Sequence, residues 1–126
     1  MNVFYFEKWS DYMISNLQRL EMETKGIKID QNELIIHLLE NEMQPHEEYN
    51  ATSSTSKRNI YKSALSILEG IANNPQTMKN YTIDDTSVSY FHNNLITRIH
   101  DLERKIRVMQ DDDNKDSGNF FMLFSN

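Results

Sequence analysis

The sequence predicts an all-α fold. The expected form is a small bundle of about four helices, with a short extended or hairpin segment before the last long helix and a flexible C-terminal tail. Three observations predict it. Glycine and proline are scarce, at 3 and 2 of 126 residues, which disfavours a turn-rich β architecture. Apolar residues recur at spacings of three and four along most of the chain. The clearest run is Phe91, Leu95, Ile99, Leu102, Ile106 and Met109, spaced 4, 4, 3, 4 and 3. That is a near-heptad stripe on one helix face. The stripe is too short for a stable coiled coil, so it reads as core, and the rest of the chain is expected to pack on it.

The chain is long enough for one domain with a real core. Residues 1–110 are expected to form the bundle, and residues 111–126 an acidic tether with a hydrophobic docking segment. Cysteine is absent, which removes disulfides, thiolate metal sites and thiol nucleophiles. The formal charge of −6 disfavours simple nucleic-acid binding. Phe4, Tyr5 and Phe6 are followed at once by Glu7 and Lys8, so no secretory signal is read there. No apolar run approaches the roughly 20 residues of a membrane span. The acceptor tripeptides at Asn50 and Asn80 are chance matches to a short pattern.

In order, the first helix is expected over residues 6–22, with Phe6, Trp9, Met13, Leu17 and Leu20 on its face. Gly26 suits a helix C-terminus, where positive φ is cheap only for glycine. Residues 27–29 alternate briefly and read as extended. Asp30 opens the second helix, in a capping box closed by Glu33. Leu34, Ile35, Leu38, Leu39 and Met43 form its face, and Pro45 ends it after Gln44.

Residues 46–56 are rich in Ser, Thr and Asn, and read as a loop that supplies Ser54 or Thr55 as the next N-cap. The third helix is expected over residues 57–73, with Ile60, Tyr61, Ala64, Leu65, Leu68, Ile71 and Ala72 on a broad face. Ala64 and Ala72 permit close approach of a neighbour. Gly70 costs about 1 kcal/mol relative to Ala inside a helix, which favours a tight packing contact there. Pro75 stops the helix, and residues 76–80 can add one more turn. Residues 81–89 read as extended or as a tight turn, with Thr86 or Ser89 capping the long helix.

After Met109 the character changes. Asp111, Asp112, Asp113 and Asp116 give an aperiodic acidic tether. The glycine and closing glutamate of a calcium loop are missing at the required offsets. Phe120, Phe121, Met122, Leu123 and Phe124 follow. Five large apolar residues on a tether must bury against something, either their own bundle or a partner. Leu123-Phe124 is similar to the end of a sliding-clamp-binding peptide, whose leading Gln is absent here.

No catalytic motif is legible. His92 and His100 are eight apart, so they are not an i, i+4 metal pair, and no HExxH pattern occurs. No nucleophile elbow is present, and Gly26, Gly70 and Gly118 are isolated, so no phosphate-cradling loop forms. The chain is expected not to be an enzyme, and no cofactor is implied.

The stretch from Ile60 to Met109 resembles the small head-to-tail connector (adaptor) proteins of tailed bacteriophages. The matching features are a helix of the type IYKSALSILEGIANNP, the segment MKNYTIDDTSVSYFHNNL leading into a helix, and the long charged amphipathic helix LITRIHDLERKIRVM. An earlier capped helix, as at residues 30–43, also fits. The resemblance implies a virion structural protein, assembled in the host cytoplasm, whose subunits form a ring on the portal vertex. Its partners would be the portal protein and a downstream neck or tail protein. DNA would pass through an acidic channel without specific binding, and no membrane would be involved.

By position, Phe120, Phe121, Met122, Leu123 and Phe124 would be the peptide that docks on the portal. Ile83, Val88, Arg98, Arg104 and Arg107 would be the candidates for contacts between subunits. The alternative reading is a small acidic helical inhibitor or regulator that binds a single host protein.

Overall fold

The computed structural model describes residues 13–82 and 87–109. They form four α-helices and one 3-10 segment: α1 (Asn16–Glu23), α2 (Gln31–Glu40), α3 (Ser54–Ala72), the 3-10 segment Pro75–Tyr81, and α4 (Val88–Val108). Among the described residues no strand forms. Two isolated antiparallel bridges, Ser15 with Glu48 and Ile27 with Thr82, tie loops together. The architecture is the small all-α bundle that the periodicity predicts.

The centre of the bundle is α3, not α4. Helices α1, α2 and α4 and the 3-10 segment all pack on α3; α4 also packs against the 3-10 segment and reaches the end of α1 through Arg98. The reason lies in the breadth of the buried face. Ile60, Ser63, Ala64, Ile67, Leu68 and Ile71 are all buried, so α3 is covered on two sides. Sequence periodicity alone leaves out Ser63 and Ile67. Ser63 is tolerated there because its hydroxyl donates to the carbonyl of Asn59 one turn earlier (2.9 Å) and lies 3.3 Å from the carbonyl of His37 on α2. Ala64 is fully buried, consistent with close helix approach.

The α4 stripe is core only in part. Phe91, Leu95, Ile99 and Leu102 are buried, whereas Ile106 and Met109 are half-exposed. The helix therefore runs beyond the core it stands on.

Several local expectations shift. Of the helix expected over residues 6–22, the described part runs Asn16–Glu23, with Ser15 as its N-cap; residues 6–12 lie outside the described residues. The Ser15 hydroxyl accepts from the Gln18 amide (3.1 Å), and the Ser15 amide donates to Gln18 Oε1 (2.8 Å). This reciprocal box leaves Met13 and Ile14 outside the helix; Phe6 and Trp9 lie outside the described residues. Gly26 takes φ 92 in the turn two residues beyond the C-cap Thr24. The conformation is as expected, although the helix ends earlier.

The capping box expected at Asp30 and Glu33 does not form. Asp30 is the N-cap, but its side chain makes no capping bond. Glu33 instead accepts from the Tyr81 hydroxyl of the 3-10 segment (3.3 Å), so a tertiary partner has replaced the local one. Helix α2 ends at Glu40, before Pro45 can act. The cap is a Schellman motif: the Met43 amide donates to Leu38 O (2.9 Å) and the Glu42 amide to Leu39 O (3.1 Å), with Glu42 at φ 63. Buried Leu38 and Met43 make the accompanying apolar pair. Pro45 is buried, and its carbonyl accepts from the Leu17 amide (2.9 Å).

Helix α3 is capped by Ser53, one residue before the expected candidates Ser54 and Thr55. The turn expected after Pro75 is the 3-10 segment, which buries Met78. Helix α4 is capped by Ser87, whose hydroxyl accepts from the Tyr90 amide (3.1 Å); of the expected candidates, Ser89 lies inside the helix and Thr86 lies outside the described residues. Of the segment expected to be extended over 81–89, Thr82 and Ser87 are extended, Tyr81 closes the 3-10 segment, Val88 and Ser89 open α4, and residues 83–86 lie outside the described residues. Gly70 is exposed, and a Cβ there would meet nothing within 4 Å, so tight packing does not explain it.

Candidate functional site

The polar chemistry of the bundle concentrates at the end where α4 runs out. Arg19 of α1 places its guanidinium 5.5 Å from the Tyr49 ring centroid and 5.9 Å from that of Tyr61. From the other side of Tyr61, Lys105 Nζ stands 5.3 Å from the same ring. Two cations and two aromatic rings thus alternate across α1, the 41–53 loop, α3 and α4. Acidic groups flank the row. Glu23 Oε2 pairs with Arg19 Nη1 at 3.0 Å; Asp101 Oδ2 lies 3.9 Å from Lys105 Nζ, and its other oxygen, Oδ1, accepts from Arg104 Nη2. Partial burial works against the charge on Arg19; the hydrogen bond and charge of Glu23, with help from Tyr49, outweigh it and raise the pKa above the ordinary arginine value. Arg19 is therefore a permanent cation here.

Beyond this row α4 has little support. Val108 is 76% exposed, Arg107 is exposed, and Ile106 and Met109 are half-exposed. On the α1 side, an open cleft of about 860 Å³ is lined by Met13, Ile14, Arg19, Met22, Tyr49 and Ala51, with Glu47 and Glu48 on its rim. Met22 is 61% exposed. The cleft and the last turn of α4 flank the same cation–aromatic row.

The sequence-predicted contact residues fall in different places. Val88 lies in the first turn of α4 and is half-buried against the protein's own core. Arg98 is engaged within the chain. Its Nη2 donates to the Glu23 carbonyl (2.6 Å) and its Nη1 to the Lys25 carbonyl (3.2 Å), which caps the C-terminal end of α1. Arg104 is exposed and paired with Asp101, and Arg107 is exposed in the last turn of α4. Ile83, the acidic tether, and Phe120, Phe121, Met122, Leu123 and Phe124 lie outside the described residues.

Arg19, Tyr49, Tyr61 and Lys105 were not legible as a group. Each reads alone as an amphipathic surface residue, and only the fold joins positions this far apart in sequence. At the opposite side of α2, burial first, and then the charge and hydrogen bond of Glu33, raise the Tyr81 pKa above its ordinary value, which keeps that hydroxyl a donor.

Among the described residues no group of three or more His, Asp or Glu could hold a metal ion. No helix among them is long and apolar enough to cross a membrane. The row and the surface beside it bring together aromatic faces, fixed cations and exposed methionine and valine. No family model, curated protein or solved structure matches the chain.

Proposed function

We propose that this chain is a non-enzymatic virion structural protein, a head–tail connector subunit that assembles as a ring on the portal vertex and joins head to tail. The observation that supports this reading is the overrun of α4. The helix continues past its last buried residue, Leu102, to half-buried Ile106 and exposed Val108, with half-buried Met109 following as its C-cap. An apolar stripe that outlasts its own core calls for a surface supplied from elsewhere.

The sequence directly after this arm is the acidic tether, followed by Phe120, Phe121, Met122, Leu123 and Phe124. In this reading those five residues are the anchors that dock on the portal, with the α4 end as the stalk that presents them. Arg104 and Arg107, exposed on the stalk, face neighbouring subunits. The net charge of −6 suits a channel through which DNA passes without adhering. The location is the virion, after assembly in the host cytoplasm, and the further partner is a neck or tail protein.

The test is co-sedimentation with portal rings of the same virus, combined with negative-stain imaging. The full chain is expected to bind the rings and to decorate them as a second ring. Deleting residues 119–126 is expected to leave the helical circular dichroism intact and to abolish binding. Unchanged co-sedimentation of the truncated chain overturns the docking role. A monomer that ignores portal rings and retains one soluble host protein overturns the connector reading in favour of a small acidic inhibitor.

A further inference from the structure

Two surfaces of the bundle complement each other but cannot meet within one chain. We propose that the last turn of α4 from one copy seats in the cleft beside α1 of a second copy, so that copies join arm to cleft. This deepens the ring assembly proposed above, and rests on it, by naming the two faces that meet.

The arm carries an apolar residue flanked by cations. Residues three and four apart share a helix face, so Arg104, Arg107 and Val108 stand together on α4. All three are exposed. Arg104 leans on Asp101, whereas Arg107 has no ion pair among the described residues.

The cleft is the converse, an apolar floor with an acidic rim. Met13, Ile14, Met22, Ala51 and Tyr49 supply the floor, and Glu47 and Glu48 the rim. Both glutamates are exposed, and neither has an ion pair among the described residues. The cation in the lining, Arg19, is already neutralised by Glu23. A volume of about 860 Å³ has room for Val108 and the apolar stems of both arginines. The wall is also held before any partner arrives. The Asn16 amide donates to the Glu47 carbonyl (2.9 Å) and the Tyr49 amide to the Ile14 carbonyl (2.8 Å). Asn50 Oδ1 accepts from the Thr52 amide (3.1 Å) and hydroxyl (2.7 Å). A preformed wall loses little freedom on binding.

The arm comes from another copy for a geometric reason. Arg19 and Tyr49 line the cleft, while Lys105 lies on α4 across Tyr61, so the row separates the two faces. Helix α4 is continuous to Val108 and fixed to the bundle by buried Phe91, Leu95, Ile99 and Leu102. A helix fixed on one side of the row cannot turn Val108 into a cleft on the other. Between copies, the opposite charges of the two faces steer and register the contact. Because the faces differ, the contact is heterologous, and copies add in one direction until a ring closes.

The test is the mass of the full chain in solution by sedimentation equilibrium, without portal. The weight-average mass is expected to rise with concentration and to pass that of a dimer. Glu47→Lys with Glu48→Lys, and separately Arg104→Glu with Arg107→Glu, are each expected to leave a monomer with unchanged circular dichroism. An equimolar mixture of the two variants is expected to associate again, because each then offers the charge that the other lacks. Deleting residues 119–126 is expected to leave association intact. The inference is overturned by a chain that is monomeric at every concentration, or by a mass that stops at a dimer. It is equally overturned by reversed variants that associate as the unmutated chain does, or by a mixture that stays monomeric. Loss of association on deletion of 119–126 overturns it too, and assigns the contact to Phe120, Phe121, Met122, Leu123 and Phe124. A monomeric chain that still binds portal rings sinks the arm-to-cleft contact and leaves the connector reading standing, so the two fail separately.

Discussion

Helices α1 and α2 end in opposite ways. Helix α2 closes itself: its last carbonyls accept from Glu42 and Met43, within five residues of Leu38. The local solution is strained, because Glu42 must adopt φ 63, a region that costs a side-chain-bearing residue roughly 1–2 kcal/mol. Helix α1 also bends back locally, through the Thr24 amide and hydroxyl onto Leu20 O, but its outermost carbonyls are held by Arg98, about 75 positions away in sequence. There the strained φ falls on Gly26, where it is cheap. A short helix can thus be terminated by backbone geometry at some cost in strain, or by a cation that arrives only when the bundle has assembled.

The largest effect is expected from breaking the distant cap. Arg98→Ala removes two charge-assisted bonds to carbonyls at the end of α1 and is expected to cost about 1–3 kcal/mol in urea unfolding. Arg98→Lys is expected to recover only part of this, since one ammonium cannot span both carbonyls as the guanidinium fork does. If Arg98→Ala is neutral, the contrast between the two helix ends collapses. Relief of the local cap is expected to act in the other direction: Glu42→Gly should stabilise by about 1 kcal/mol, read as a higher urea midpoint with an unchanged slope. The smallest effect concerns a glycine with no such task. Gly70→Ala is expected to stabilise by up to ~1 kcal/mol, because the added methyl enters open space on an α3 turn.

The same contrast explains what could be read in advance. Helix existence and most of the core were legible, because Leu17, Leu20, Leu34, Leu38, Ile60, Leu68 and Phe91 sit at plain helical spacing. The Ser15-to-Gln18 box was also in the sequence, and it outranks the apolar spacing that runs back through Met13. The positive φ of Glu42 had no sequence signal, since glutamate gives none. The roles of Arg98, Glu33 and the Arg19 row were illegible for a different reason. Each depends on a partner from a distant helix or loop, and spacing along one element says nothing of what faces it. The centrality of α3 was hidden because a helix covered on two sides has a diffuse pattern, whereas α4, covered on one, has a clear stripe.

The bonds at the start of α1 have a consequence for the order of assembly. Its first amides donate outward, from Asn16 to the Glu47 carbonyl and from Leu17 to that of Pro45, while the Asn16 side chain holds the Gln44 carbonyl. Eight residues are too few to sustain an isolated helix in water. Its start therefore waits for the loop after α2, and its end waits for Arg98 on α4. The α3–α4 pair rests on contacts nearer in sequence, so α1 is expected to depend on the rest of the bundle for its terminal hydrogen bonds. Its amides are expected to exchange with solvent ahead of those of α3 and α4, which native-state hydrogen exchange reads directly.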